Sequence, residues 1–260
     1  MIARSFSDQL GNRISLHGLP QRIVSLVPSQ TELLSYLGLD ECVVGITKFC
    51  VHPPDWLQRK AIVGGTKKFR FDIIERLKPD LIIGNKEENY RAGIERLSQD
   101  FPLWMSDIIT LRDALTMIES VGSLTGKQPE AIDCVNEIKT RFEHVKKYDG
   151  QSVLYLIWKD PWMAAGRQTF IDTMLSAIGL KNVLESKDRY PVLSIKDIQK
   201  LTPRYIFLSS EPYPFTQNHA EDFTRLIPHS KVLLVDGEMF SWYGSRLIKA
   251  AGYFNTLGVD

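Results

Sequence analysis

The sequence predicts an α/β fold of two Rossmann-like lobes, each around a parallel sheet, joined by helix. Three observations predict it. Apolar runs of strand length alternate with amphipathic stretches of helix length, and that alternation requires crossover connections and so parallel strands. One cadence occurs twice: a helix, then Leu-Lys-Pro-Asp at 77–80 or Leu-Thr-Pro-Arg at 201–204, then an apolar strand. The chain of 260 residues is also too long for one ordinary domain and suits two modest ones.

Lobe one is read at 20–108, after an N-terminal extension at 1–19. RIVSLVP (22–28) is a buried strand closed by proline. SQTELLSYL follows as a helix, with Ser29 as expected N-cap, Glu32 completing a capping box, and Gly38 as the stop. The next strand is 43–46, and His52-Pro53-Pro54 is a turn. Residues 71–77 are helical, 81–84 (LIIG) a strand, 94–97 helical and 102–105 a strand.

A helical linker is expected over 109–148. One helix covers 111–124. A second starts at Pro129, which suits a first turn, and runs to about 147 with Ala131, Cys134, Val135, Ile138, Phe142 and Val145 on one face. Lobe two, 149–260, repeats the scheme: strands at 153–158, 205–209 and 232–235, helices at 169–178, 195–201 and 245–257.

Composition narrows the function. Hydrophobic residues are 43% and charged residues 24%, ordinary for a folded chain. A net charge of +1 argues against a surface built for nucleic acid or anionic lipid. Cys42, Cys50 and Cys134 form no CxxC, so neither a disulfide framework nor structural zinc is expected. No run approaches the roughly 20 apolar residues of a membrane helix. The first residues lack the apolar core of a secretory leader.

Aromatic residues gather after strands: Trp158 and Trp162, then Tyr213 and Phe215, then Phe240, Trp242 and Tyr243. In open α/β sheets ligands bind beyond the carboxyl ends of strands. Rings there either line a cleft for a large flat or apolar ligand, or cap the lobe. Glu87, Glu88, Asn89 and Tyr90 follow the LIIG strand, while Phe49 and His52 follow the strand at 43–46; these would form a second wall. His52 reads equally as a plain turn residue. The five histidines (His17, His52, His144, His219, His229) show no HxH or HExxH spacing, so no catalytic metal is expected. GSLTGK at 122–127 lacks the spacing of a phosphate loop and follows a helix.

The ordered set RIVSLVPSQTELLSYLGL, VVGI, His52-Pro53-Pro54, VGG and LKPDLIIG, continued by AAGRQTFIDTMLSAIGLKNVL and Leu201-Thr202-Pro203, resembles the helical-backbone (class III) substrate-binding proteins of ABC importers. The resemblance covers roughly 20–257. It implies two lobes bridged by a rigid helix at about 129–147, and a ferric siderophore, haem or corrinoid held between lobes with little hinge motion. Contact positions of the vitamin B12-carrying members fall near Phe49, Asn85, Met163, Tyr190, Glu238 and Trp242. Two of their pocket tryptophans fall at Thr66 and Asn85. The acidic residues with which the family docks its permease fall at Asp72 in lobe one and, in lobe two, at Lys196, with Asp197 beside it.

These readings combine into one expectation. The protein is a non-enzymatic binder of a metal chelate or corrinoid, needing no cofactor, its only metal belonging to the ligand. The expected ligand contacts are Phe49, His52, Asn85, Glu87, Asn89, Tyr90, Trp158, Trp162, Met163, Tyr190, Glu238, Phe240, Trp242, Tyr243 and Arg246. Arg246 would grip a ligand carboxylate or phosphate, or else bridge the lobes. Asp72 and Asp197 would dock an inner-membrane ABC permease. No nucleic-acid partner and a monomer are expected, in the periplasm by resemblance or in the cytoplasm by the absent leader. Two alternatives stand beside this: a cytoplasmic chelatase-like enzyme using His52 with Glu87 or Glu88, and a cytoplasmic binder of a small metabolite.

Overall fold

The computed structural model describes residues 4–260. The chain divides into two compact units, each assembled from three stretches. Unit 1 comprises residues 4–108, Arg112–Ile138 and Tyr243–Arg246; unit 2 comprises Ile109–Leu111, Lys139–Trp242 and Leu247–Asp260.

Unit 1 opens with a hairpin of β1 (Arg4–Ser7) and β2 (Arg13–Leu16), within the stretch expected to be an N-terminal extension. Its turn is made by Asp8, whose carboxylate accepts from the backbone N–H groups of Leu10 and Asn12, with Gly11 at φ +84°. The Gln9 N–H donates to the Met105 carbonyl, and the Trp104 indole to that of Ser7.

Next come β3 (Ile23–Ser25), α1 (Pro28–Tyr36), β4 (Val43–Ile46), α2 (Trp56–Arg59), β5 (Ala61–Ile62), β6 (Gly64–Gly65), β7 (Lys68–Phe69) and α3 (Phe71–Leu77). After them come β8 (Leu81–Asn85), α4 (Arg91–Asp100), β9 (Leu103–Ser106), α5 (Leu111–Thr125) and α6 (Gln128–Glu143). Strands β5-β4-β3-β8-β9 form one parallel sheet. Such an order reverses direction at β3/β8, the place where a doubly wound sheet opens a crevice at its carboxyl edge.

Two expectations need correction here. Ser29 is not the N-cap of α1: Val27 holds that place, Pro28 begins the helix, and no side chain caps it. Proline at the first position loses no hydrogen bond and its φ is already helical, so it moves the cap two residues earlier. The second correction is that α6 stops at Glu143, 16 residues long, and not near 147. His144 turns its Nδ1 back onto the Thr140 carbonyl at 2.7 Å, satisfying an orphan acceptor of the last turn. At 1.5 Å per residue the helix is about 24 Å long.

Unit 2 is built on β10 (Ser152–Trp158), followed by β11 (Trp162–Ala164), α7 (Phe170–Ala177), β12 (Lys181–Asn182), β13 (Val192–Leu193), α8 (Ile195–Leu201) and β14 (Tyr205–Ser209). It closes with α9 (Gln217–Leu226), β15 (Lys231–Val235), α10 (Gly237–Ser241) and α11 (Arg246–Phe254). β12, β10, β14 and β15 are parallel. β11 pairs antiparallel with both β10 and β13, so one antiparallel strand is added to the parallel sheet.

The repeated cadence has a structural basis. α3 and α8 both end in a left-handed residue directly before proline, Lys78 at φ 47° and Thr202 at φ 42°. That residue ends the helix and turns the chain into the next strand of each sheet. In unit 1 the following Asp80 accepts from the N–H groups of Gln21 and Arg22 at 2.8 Å each, which ties the start of β3 to the start of β8.

Candidate functional site

In unit 1 the candidates collect where β3, β8 and β9 end. Asn85, the last residue of β8, is buried. Its Oδ1 accepts from the N–H groups of Glu87 (2.8 Å) and Glu88 (3.1 Å), and its Nδ2 donates to Ser106 Oγ at 3.0 Å. Asn89 is buried beneath the same loop. Its Oδ1 accepts from the Asn85 N–H at 2.9 Å, and its Nδ2 donates to the carbonyls of Leu26 and Thr66 at 3.2 Å each. Gly84 makes room for it, since a Cβ there would lie 2.7 Å from Asn89 Oδ1. Asn85 and Asn89 therefore hold the loop, their polar atoms bonded to backbone and to Ser106.

What that loop presents is Glu87 and Tyr90, both partly exposed, with the Tyr90 ring 4.9 Å from that of Phe69. Phe49, beyond β4, is 49% exposed and has Lys48 Nζ over its ring. His52 lies at the bend after it, partly exposed. Tyr243 and Arg246 belong to unit 1, not to the aromatic wall of unit 2. Burial, followed by the charge of Glu88, pushes the Tyr243 phenol well above its ordinary pKa, while the hydroxyls of Ser29 and Ser106 oppose the shift. Arg246 Nε donates to Glu32 Oε2 at 2.8 Å with both side chains largely buried.

In unit 2 the candidates lie beyond β10, β14 and β15. Trp158 ends β10, is 39% exposed, and meets the Tyr213 ring edge-on at 5.6 Å. Met163 and Tyr190 are partly exposed, the latter beneath the Arg189 guanidinium. Glu238 is partly exposed in α10, whose first turn is capped by Asp236. One ring expected in the wall is core instead. Phe240 has no exposed surface and packs among Tyr155, Phe207, Tyr253 and Phe254. Trp162 is partly buried: it stacks on Phe215 and meets Phe223 edge-on at 4.8 Å, at the margin of the cluster beneath α9, with Lys159 Nζ over its ring.

Trp242 is nearly buried, and its indole N–H donates to Glu211 Oε1 at 2.8 Å. Glu211, just past β14, escaped the sequence reading. The only signal was an acidic residue directly after a strand and before proline. Burial holds its carboxyl above the ordinary glutamate value, reinforced by the charges of Glu238 and Asp236 and opposed by hydrogen bonds from Ser241 and Trp242.

Asp72 sits exposed in the first turn of α3, paired with Arg76 at 2.9 Å. At the corresponding place in α8 stands Lys196, also exposed. Asp197 does not replace the missing acid freely: its carboxylate closes a capping box, accepting from the Ser194 N–H (2.9 Å) and hydroxyl (2.6 Å), and these bonds hold its pKa low.

Among the described residues no group of three or more His, Cys, Asp or Glu is placed to hold a metal ion, and no helix is long and apolar enough to cross a membrane. A groove of about 840 Å³ lies elsewhere on unit 1, between β2, α4 and β9, and shares only Asn89 with the candidates.

Two α/β units, each with candidate side chains at the carboxyl ends of parallel strands, define a binding-protein fold. The sequence pattern of the periplasmic binding protein family matches residues 23–225, and the chain belongs to that family. An uncharacterized ABC transporter substrate-binding lipoprotein of Bacillus subtilis, YvrC, is 24% identical over 94% of this chain and 82% of its own length. A vitamin B12-binding protein of Pectobacterium carotovorum is 24% identical over 90% of this chain and 87% of its own. The periplasmic haem-binding protein HutB of Vibrio cholerae has the same fold, with a TM-score of 0.78 at 19% identity, over 91% of this chain and 98% of that one.

Proposed function

We propose that this protein is the substrate-binding component of an ABC importer. It captures a metal chelate or corrinoid outside the cytoplasm and delivers it to an inner-membrane permease. The observation that carries the reading is the placement of Phe49, Tyr90, Trp158 and Glu87 at least partly exposed beyond the carboxyl ends of parallel strands. Large rings left accessible at that edge are costly unless a ligand covers them. The named ligands of related proteins, vitamin B12 and haem, are both built on a large flat macrocycle, and they support the same class.

Affinity would come from covering rings, at about 25 cal/mol per Å² of apolar surface removed from water. Orientation would come from Glu87, Glu238 and Tyr90. Asp72, exposed on α3, is the permease-facing acid of unit 1, and Lys196 on α8 would make the second contact differ in sign.

The test is a titration with cyanocobalamin, haemin and a panel of ferric siderophores, read by tryptophan fluorescence. Saturable quenching by one of them at micromolar concentration or below, reduced at least tenfold in affinity by Trp158→Ala, supports the reading. No saturable response to any member removes this ligand class.

A further inference from the structure

We propose that Glu211 is the positioning residue for Trp242 in unit 2, one of its carboxylate oxygens fixing the indole plane and turning its N–H away from any ligand. Glu211 Oε1 lies 2.8 Å from Trp242 Nε1 and 2.7 Å from Ser241 Oγ, so two donors at the end of α10 converge on one atom. The Ser241 hydroxyl also lies 2.9 Å from the Gly237 carbonyl, which fixes its rotamer. Trp242 is the last residue that this stretch contributes to unit 2.

Glu211 is itself held from behind. The Ser209 hydroxyl donates to the Glu211 carbonyl at 2.6 Å and accepts from the Tyr155 phenol at 3.2 Å. Gly237 leaves space for the stem: a Cβ there would lie 2.6 Å from Glu211 Cγ. The carboxylate thus sits at the meeting of β14, α10 and the strand that carries Trp158, wedged in place on each side.

Its charge is not there for stability. Burial and the neighbouring Glu238 and Asp236 carboxylates oppose ionisation. The protonated acid keeps the same acceptor oxygen, so what holds the indole is the geometry of the two hydrogen bonds that converge on it.

There is a consequence for the ligand. An indole has a single donor. With that donor spent on Glu211, Trp242 can offer a ligand carbon surface only. The part of the ligand that reaches it is therefore an apolar or aromatic face, and hydrogen-bonding groups must be read elsewhere, for instance by Glu238 of the same unit. This consequence rests on the ligand-binding reading above; the positioning of the indole does not.

The experiment compares Glu211→Gln, Glu211→Leu and Trp242→Phe in the full chain, each checked by far-ultraviolet circular dichroism and thermal unfolding. The first readout needs no ligand. The fluorescence contributed by Trp242, taken as wild type minus Trp242→Phe, is followed from pH 4 to 9. A step is expected in wild type and absent in Glu211→Gln. The facing ionisable groups are Asp236, Glu238 and Tyr155, and because all three remain in Glu211→Gln, loss of the step assigns it to Glu211. The second readout is affinity for haemin and cyanocobalamin. Glu211→Gln is expected within about twofold of wild type, and Glu211→Leu at least tenfold weaker for whichever probe binds. Adding Trp242→Phe to Glu211→Leu is expected to weaken binding little further, because the two residues act as a unit.

A step that persists in Glu211→Gln overturns the proposal. So does equal weakening by Gln and Leu, which would mean that the charge itself touches the ligand. If wild type binds neither probe, that result counts against the ligand reading, while the fluorescence step still decides the positioning. If Glu211→Leu does not fold, the Gln variant and the pH step decide it.

Discussion

Phe240→Ala tests the correction that moved this ring from a ligand wall into the core. The ring has no exposed surface, and its neighbours lie at centroid distances of 4.8 Å (Phe254), 5.1 Å (Tyr155), 6.0 Å (Phe207) and 6.3 Å (Tyr253). Removing a buried phenylalanine costs about 3–5 kcal/mol through lost transfer energy and the cavity left behind. Four ring contacts on several elements leave little room to collapse, so a loss of about 4 kcal/mol is expected, near the middle of that range. For a chain of this size each kcal/mol moves the melting temperature by about 2–4 °C, which makes the expected drop roughly 8–16 °C. Circular dichroism melts of wild type, Phe240→Ala and Phe240→Leu measure it, and the leucine variant should lose less than half as much because it refills most of the space. A drop below about 3 °C, under roughly 1 kcal/mol, would refute the placement of α10. Unchanged melting with lost ligand affinity would return Phe240 to the ligand wall.

Three further outcomes follow from single contacts. Arg246→Met leaves Glu32 buried beside an apolar chain and should cost about 3–5 kcal/mol, whereas the double variant Glu32→Leu/Arg246→Met should recover most of that loss; equal denaturation midpoints for the single and double variants would contradict the pairing. Burial pushes the Cys134 thiol up to about 12 and raises Cys50 and Cys42 as well, again by burial first; a thiol reagent at pH 8 should therefore modify fewer than one cysteine in minutes in the native protein and all three after unfolding. Glu211 binds its proton more tightly folded than unfolded. Its contribution to stability is whole below the ordinary glutamate value of about 4.3 and is lost as pH rises through the folded value, about 1.4 kcal/mol for each unit of separation. Glu211→Gln should flatten that part of the stability profile, and an unchanged slope in urea melts from pH 4 to 8 would sink the assignment.

How far the sequence could be read follows from what each residue depends on. Strands β3, β8, β10 and β14 were legible because parallel strands are buried on both faces and read as unbroken apolar runs. The repeated helix-to-strand cadence at 77–80 and 201–204 was legible too, because a proline follows the last turn of both α3 and α8. The β1–β2 hairpin was not: its residues are mostly polar, and it is pinned by Gln9 and Trp104, partners about a hundred residues apart. Nor could the use of Asn85 and Asn89 be read. A polar residue after a strand carries no mark in sequence for the backbone groups it will bond, here the carbonyls of Leu26 and Thr66. Phe240 failed for the matching reason, since an aromatic after a strand end has no sequence mark for facing in or out. Glu211 was invisible because its meaning lies in Trp242, 31 positions away.

The discontinuity of unit 1 bears on the order in which the chain is made. Glu32 waits for Arg246, 214 residues downstream. At a synthesis rate of about 5–20 residues per second, that interval is roughly 10–40 s. Throughout it the sheet of β3, β4, β8 and β9 can be complete while Glu32, on α1, lacks the Arg246 guanidinium. A nascent chain in that condition is held short of its final stability until nearly all of it has emerged. Truncation after residue 138 would leave that contact permanently unmade, so such a fragment is expected to be less stable than unit 1 in the full chain; a circular permutant that brings 243–246 ahead of β3 would make the contact early.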